Sequence, residues 1–150
     1  MTESESKPDL TAHHFGVTVE NLERAVEFYE DVLGLDTVAR FTVSGEEFSE
    51  GVDVEDATGR FAHLDAGNAR IELVEYDPIE IEIEIEERGS ESINRRGAKH
   101  VGLEVDDIDA FYEGLPDGVE TLSEPQTTES GTRILFVRDP EDNLVEVLET

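Results

Sequence analysis

The sequence predicts an α+β domain made of two βαβββ modules related by a pseudo-twofold axis, with mixed sheets curled around a shared cavity. Three observations lead there. The stretch His14-Phe-Gly-Val-Thr-Val19 returns as His100-Val-Gly-Leu-Glu-Val105, and each copy runs into an acidic or amide pair followed by an apolar helical pattern. Such self-similarity marks a duplicated supersecondary unit. A length of 150 residues suits one domain with its own core, and 37% hydrophobic residues in clear periodicities argue for a packed chain.

In the first module Phe15, Val17 and Val19 alternate with His14, Gly16 and Thr18, the period of a strand. Asn21 is placed to cap a helix whose apolar face is Leu22, Ala25, Val26, Tyr29, Val32 and Leu33, stopped by Gly34. Strand-like stretches follow at Asp36 to Val43, Arg60 to Leu64 and Arg70 to Glu75, the last two joined through Asp65, Gly67 and Asn68. The second module repeats the order. Lys99 to Val105 reads as strand and Asp106 to Leu115 as a shorter helix capped by Asp106 or Asp107. Val119 to Leu122 reads as a brief strand, and Thr132 to Arg138 and Asn143 to Glu149 close the module around Asp139-Pro-Glu-Asp-Asn143. The domain therefore comprises residues 10–150, as module 12–76, connector 77–97 and module 98–150. Residues 1–9 read as a disordered acidic tail.

The connector holds Ile79-Glu-Ile-Glu-Ile-Glu-Ile85, whose strict alternation would put isoleucines on one face of a strand and glutamates on the other. We read it as an extended segment packing its isoleucines on the domain or a partner subunit. Ser90 to Gly97 reads as a loop.

A formal charge of -28, from 39 acidic against 11 basic residues, excludes nucleic acid and anionic membrane surfaces as partners. Only Lys7 and Lys99 are lysine. This balance fits a halophilic protein, because at 1 M salt screening acts over roughly 3 Å and removes the self-repulsion. With no cysteine there are no disulfides, thiolate ligands or thiol nucleophiles. No run of about 18 apolar residues spans a membrane, and Met1 to Leu10 is not a signal sequence, so a soluble, cytoplasmic protein is expected.

Strand alternation decides which polar residues meet. With the apolar residues on the helix-covered face, His14 and His100 project from the opposite one. Ile71 and Leu73 flank Glu72, and Val145 and Val147 flank Glu146, so each carboxylate shares that face. Each module thus offers one His and one Glu to a common concave surface. If the modules face each other, the four converge as ligands for one divalent ion, Zn²⁺, Ni²⁺, Co²⁺, Mn²⁺ or Fe²⁺. His13 could replace His14, but the repeat register favours His14. His63 reads as lining the cavity or the surface rather than as a ligand.

These residues, with Ala25-Val-Glu-Phe-Tyr-Glu-Asp-Val-Leu-Gly-Leu35, Ile71-Glu-Leu-Val-Glu75 and Phe136-Val-Arg-Asp-Pro-Glu-Asp-Asn143, resemble the vicinal oxygen chelate superfamily over about residues 12 to 150. That superfamily includes glyoxalase I, methylmalonyl-CoA epimerase, extradiol dioxygenases and bleomycin-resistance proteins. One departure is Asp142, where members often carry glycine; Asp tolerates the left-handed conformation, so the turn is expected to survive.

The resemblance implies a metal-dependent lyase or isomerase of the glyoxalase-I kind. It would act on an α-oxo or thioester-type small molecule through a metal-stabilised enediolate or enolate. Glu146 matches the position of the base and Glu72 that of a ligand or second base. A low-molecular-weight thiol co-substrate and a homodimer are also implied, with the site formed within one chain or across two. A methylmalonyl-CoA-type epimerase is the alternative. Ring-cleaving dioxygenases, with two His and one carboxylate on iron, need no acid at Glu72, and bleomycin-resistance-like proteins commonly lack the ligands. Arg95 and Arg96 could grip an anionic substrate group, though pairing with Glu86, Glu87 or Glu91 is the simpler reading. Glu46, Glu47 and Glu50 fall in a loop where an epimerase-like second base would arise.

Overall fold

The computed structural model describes residues 9–81 and 92–150. The first module contains β1 (His14–Thr18), α1 (Leu22–Asp31), β2 (Asp36–Ser44), α2 (Glu46–Val52), β3 (Thr58–Asp65) and β4 (Arg70–Asp77). The second contains β5 (His100–Glu104), α3 (Ile108–Glu113), β6 (Gln126–Thr127), β7 (Arg133–Arg138) and β8 (Leu144–Glu149). Each module forms one four-stranded sheet, ordered β1-β4-β3-β2 and β5-β8-β7-β6. In both, the first strand runs parallel to the last, and the other pairs are antiparallel. The parallel pair must be closed by a long crossover, which is why a helix follows β1 and β5.

Registers repeat between the modules. Gly16 lies opposite Glu72 and Gly102 opposite Glu146, the same step along each parallel pair. One face of each sheet carries the alternating apolar residues, among them Leu64, Ile71 and Leu73 in the first and Leu135, Val145 and Val147 in the second. They join Leu22, Ala25 and Tyr29 of α1 and Ile108 of α3 in one core cluster. The two modules therefore share a single apolar interior.

Helix starts are fixed twice over. Asn21 accepts from the Arg24 backbone N–H (3.0 Å), and Asp107 from that of Ala110 (3.1 Å), satisfying orphan donors of the first turns. The last strand of each module adds a carboxylate: Leu22 N–H donates to Glu75 (2.8 Å) and Ile108 N–H to Glu149 (2.9 Å). Both acids lie three residues beyond the site glutamates, so they project from the opposite, helix-covered face. Gly34, at φ 75°, ends the chain's run out of α1.

A contact between modules is built on the β7–β8 turn. Buried Glu141 accepts from the backbone N–H groups of Glu20 (2.7 Å) and Asn21 (2.8 Å), just ahead of α1. Buried Asp139 accepts from the Tyr29 hydroxyl (2.9 Å), Glu141 N–H (2.8 Å), Asn143 N–H (2.9 Å) and the Asn143 amide (3.0 Å). Asp142 adopts φ 71° as expected, with its carboxylate on Arg138 at 2.8 Å.

Three expectations are corrected. Residues 46–52 form helix α2 rather than a loop, so Glu46, Glu47 and Glu50 are helical; Gly45 at φ 109° turns the chain in and Asp53 at φ 58° ends it. Val119 to Leu122 is not a strand: Thr121 makes one isolated bridge to Val137, and β6 forms later, at Gln126–Thr127. The helix of the second module is shorter than expected, Ile108–Glu113 with Asp107 as its cap. The Ile/Glu alternation lies outside the described residues apart from Ile79 to Ile81, which carry no regular structure.

Removing the Asp139 carboxylate strands several buried donors, so Asp139→Ala is expected to cost about 3 kcal/mol, read from the denaturant midpoint. Burial first, and the Asp139 charge second, hold the Tyr29 phenol protonated well above its ordinary value of 10.0. The unfolded chain ionises there while the folded one does not. The stabilisation is thus complete below pH 10 and lost as pH rises toward the folded value. Thermal unfolding of the wild type should fall more steeply above that pH than that of Tyr29→Phe.

Candidate functional site

His14 opens β1 and Glu72 sits within β4, both on the face turned away from α1. His14 Nε2 stands 3.5 Å from Glu72 Oε1. The duplicate pair matches it, with His100 Nε2 3.2 Å from Glu146 Oε1. Both imidazoles are partly exposed and both carboxylates more sheltered. Glycine keeps this surface open. A Cβ at Gly16 would lie 3.7 Å from Glu72 Oε1, and one at Gly102 3.9 Å from Glu146 Oε1, so any longer side chain would cover the carboxylate.

The donors suit a borderline divalent ion. Ligands about 2.0–2.2 Å from a common ion stand roughly 3.0–3.5 Å apart, the spacing within each pair. The structure brings His14 to Glu72 and His100 to Glu146, one pair per sheet. It does not bring the two pairs into one cluster, and among the described residues no group of three or more His, Asp or Glu is set to hold a metal ion. One chain thus presents two separate His/Glu pairs.

His63, on β3 directly opposite Glu72, is 5% exposed. Its Nε2 lies 2.8 Å from Glu72 Oε2, and its Nδ1 3.1 Å from Arg70 Nη1. His13 Nδ1 is 2.9 Å from His14 Nδ1. The sequence reading placed His63 near the cavity but missed this contact; a histidine flanked by apolar residues on a strand facing Glu72 was the available signal. Glu46, Glu47 and Glu50 make no hydrogen bond or ion pair to either His/Glu pair among the described residues.

The model of the Glyoxalase/Bleomycin resistance protein/Dioxygenase superfamily matches residues 11–147. The chain belongs to this superfamily. It is 31% identical over 128 residues to a protein of an Actinomyces species named 2-epi-5-epi-valiolone epimerase, covering 81% of this chain and 67% of that one. It is 29% identical over 131 residues to the uncharacterised protein YraH of Bacillus subtilis strain 168, covering 86% and 90%. Among solved structures, a glyoxalase family protein from Bacillus cereus superposes with a TM-score of 0.81 at 25% identity, over 96% of this chain and 97% of that one. A glyoxalase family protein from Enterococcus faecalis gives a TM-score of 0.62 at 18% identity, over 93% and 97%.

Within this superfamily fold the two open faces differ. Beside His63, Phe41 stacks on Phe61 (centroids 5.0 Å apart, planes at 11°), and Phe48 of α2 packs against Phe61 and Tyr76. Burial, then the Glu72 charge, raises the Tyr76 phenol above its ordinary value of 10.0. The second module has Phe136 opposite Glu146, with His100 edge-on to its ring at 5.3 Å. The Phe61 and Phe48 rings close over Gly59, where a Cβ would stand 2.7 Å from one and 3.1 Å from the other. Gly59→Ala is therefore expected to destabilise by about 1–3 kcal/mol and to change the near-ultraviolet dichroism of these rings.

Proposed function

We propose that the protein is a divalent-metal-dependent lyase or isomerase of the glyoxalase-I kind, moving a proton next to a carbonyl of a small-molecule substrate. The observation that carries this reading is the duplicated His/Glu pair at the same register of both sheets. His14, Glu72, His100 and Glu146 would hold the ion, with the site completed across a homodimer by the first module of one chain and the second of its partner. Two separate half-sites and exposed apolar residues such as Phe41 and Leu122 on the open faces support that assembly.

A bound cation supplies Lewis-acid polarisation of substrate oxygens. The protein's own groups move the proton. Glu146 makes its one described polar contact with His100, and its carboxylate takes the proton from the carbon next to the carbonyl. The electron pair left behind moves onto the carbonyl oxygen; the proton then returns to the former carbonyl carbon, while the substrate's hydroxyl proton passes to that oxygen and a new carbonyl forms where the hydroxyl stood. The aromatic floor of the first module shields this exchange from water. A low-molecular-weight thiol would enter as part of a hemithioacetal substrate.

A second reading, epimerisation, is favoured by the relative named 2-epi-5-epi-valiolone epimerase. There the proton returns to the same carbon from the opposite face, the task of Glu72. Hemithioacetal isomerisation, against solvent-deuterium incorporation into a cyclic polyol ketone or a methylmalonyl thioester, separates the two.

Chelation should abolish turnover and one divalent ion per site restore it. Glu146→Gln should retain the ion and lose about 10²–10⁴ in turnover; a chain with no ion and an unaffected variant overturn the mechanism. For a site shared by two chains, mixing inactive His14→Ala and His100→Ala proteins should recover about a quarter of wild-type activity, since half the dimers then carry one intact site of two. No recovery places the site within one chain.

A further inference from the structure

The duplication is exact in register at the carboxylates and broken beside them. Opposite Glu72 stands His63, and opposite Glu146 stands Phe136; the residue two before Glu72 is Arg70, and two before Glu146 is Leu144. Among the described residues, only the first carboxylate therefore has a polar partner on its antiparallel neighbour strand, in addition to the histidine that each has on the parallel one. An arginine nitrogen can donate but never accept, so the contact from Arg70 Nη1 makes His63 Nδ1 the acceptor. The ring proton then sits on Nε2 and is donated to Glu72 Oε2 at 2.8 Å, leaving Oε1 turned toward His14.

The geometry points to His63 and Arg70 as positioning residues that lock one carboxylate of the duplicated pair, making Glu72 a fixed ligand while Glu146 lacks that lock. His63 is not itself a ligand in this assignment, because the nitrogen facing Glu72 carries the proton. A carboxylate with one oxygen already occupied presents the other in a single direction, and such outer partners fix ligand orientation. The inference rests on the metal reading given above, but its first test needs no metal.

In metal-free wild-type protein, ¹⁵N spectra of the imidazoles should show the Nε2–H tautomer for His63, and Arg70→Leu should lose that preference. An Nδ1–H ring in the wild type overturns the assignment. The second test is a Co²⁺ titration followed by visible absorption. His63→Phe, which installs the residue the second module carries, should weaken Co²⁺ binding about 10- to 100-fold and alter the spectrum. His63→Gln, which keeps a donor toward Glu72, should restore most of the affinity. Wild-type affinity and spectrum in His63→Phe overturn this inference alone. A wild-type chain that binds no Co²⁺ overturns the metal reading and this inference with it, whatever the tautomer.

Discussion

The structure depends on a buried acidic turn that fastens one module to the other. Glu141 and Asp139 lie in the second module, yet Glu141 receives the backbone donors that open α1 and Asp139 receives the hydroxyl of Tyr29 near its end. Burying two carboxylates so close together is costly unless their oxygens are filled. Backbone N–H groups, a phenol and an amide fill them, and Arg24 lies 3.8 Å from Glu141. Once α1 is pinned in this way, Leu22, Ala25 and Tyr29 enter a core shared with Val137 and Val145, and the outward faces of both sheets are set.

Those outward faces are where the sequence was most legible. Period-2 alternation around His14, Glu72, His100 and Glu146 placed all four away from the helices, and a one-residue slip would have reversed every one of them. Helix α1 and its Asn21 cap were equally readable, because an apolar stripe, a capping side chain and a stopping glycine agree. Residues 46–52 were not: with three glutamates and only Phe48 and Val52 as apolar anchors, the segment lacks a stripe, and Phe48 is held by tertiary contact with Phe61 and Tyr76. Val119 to Leu122 has strand-like composition, but its pairing with β7 is reduced to a single bridge. Propensity cannot report how much of a partner strand remains available.

Side-chain pairing across strands was the harder part. That His63 would face Glu72, rather than merely share its surface, follows from the β3/β4 register, which a turn of uncertain length leaves open in the sequence. The distribution of His14, Glu72, His100 and Glu146 over two separate pairs was also illegible, since a repeat specifies what each half contributes and says nothing of how halves meet. Duplication supplies symmetry of position, while the neighbours supply the difference in surroundings. His63 and Arg70 on one side, and Phe136 and Leu144 on the other, turn equivalent carboxylates into unlike groups.

Glu72 and Glu75 are three places apart on one strand and so serve opposite sides of the sheet, one beside His14 on the open face and the other at the start of α1. Glu146 and Glu149 are arranged alike. Sliding or lengthening either strand to suit a new substrate would unfasten its helix at the same stroke. The connection between β2 and β3 carries no such double duty: there α2 lays Phe48 against Phe61 and Tyr76 on the open face and touches neither anchor.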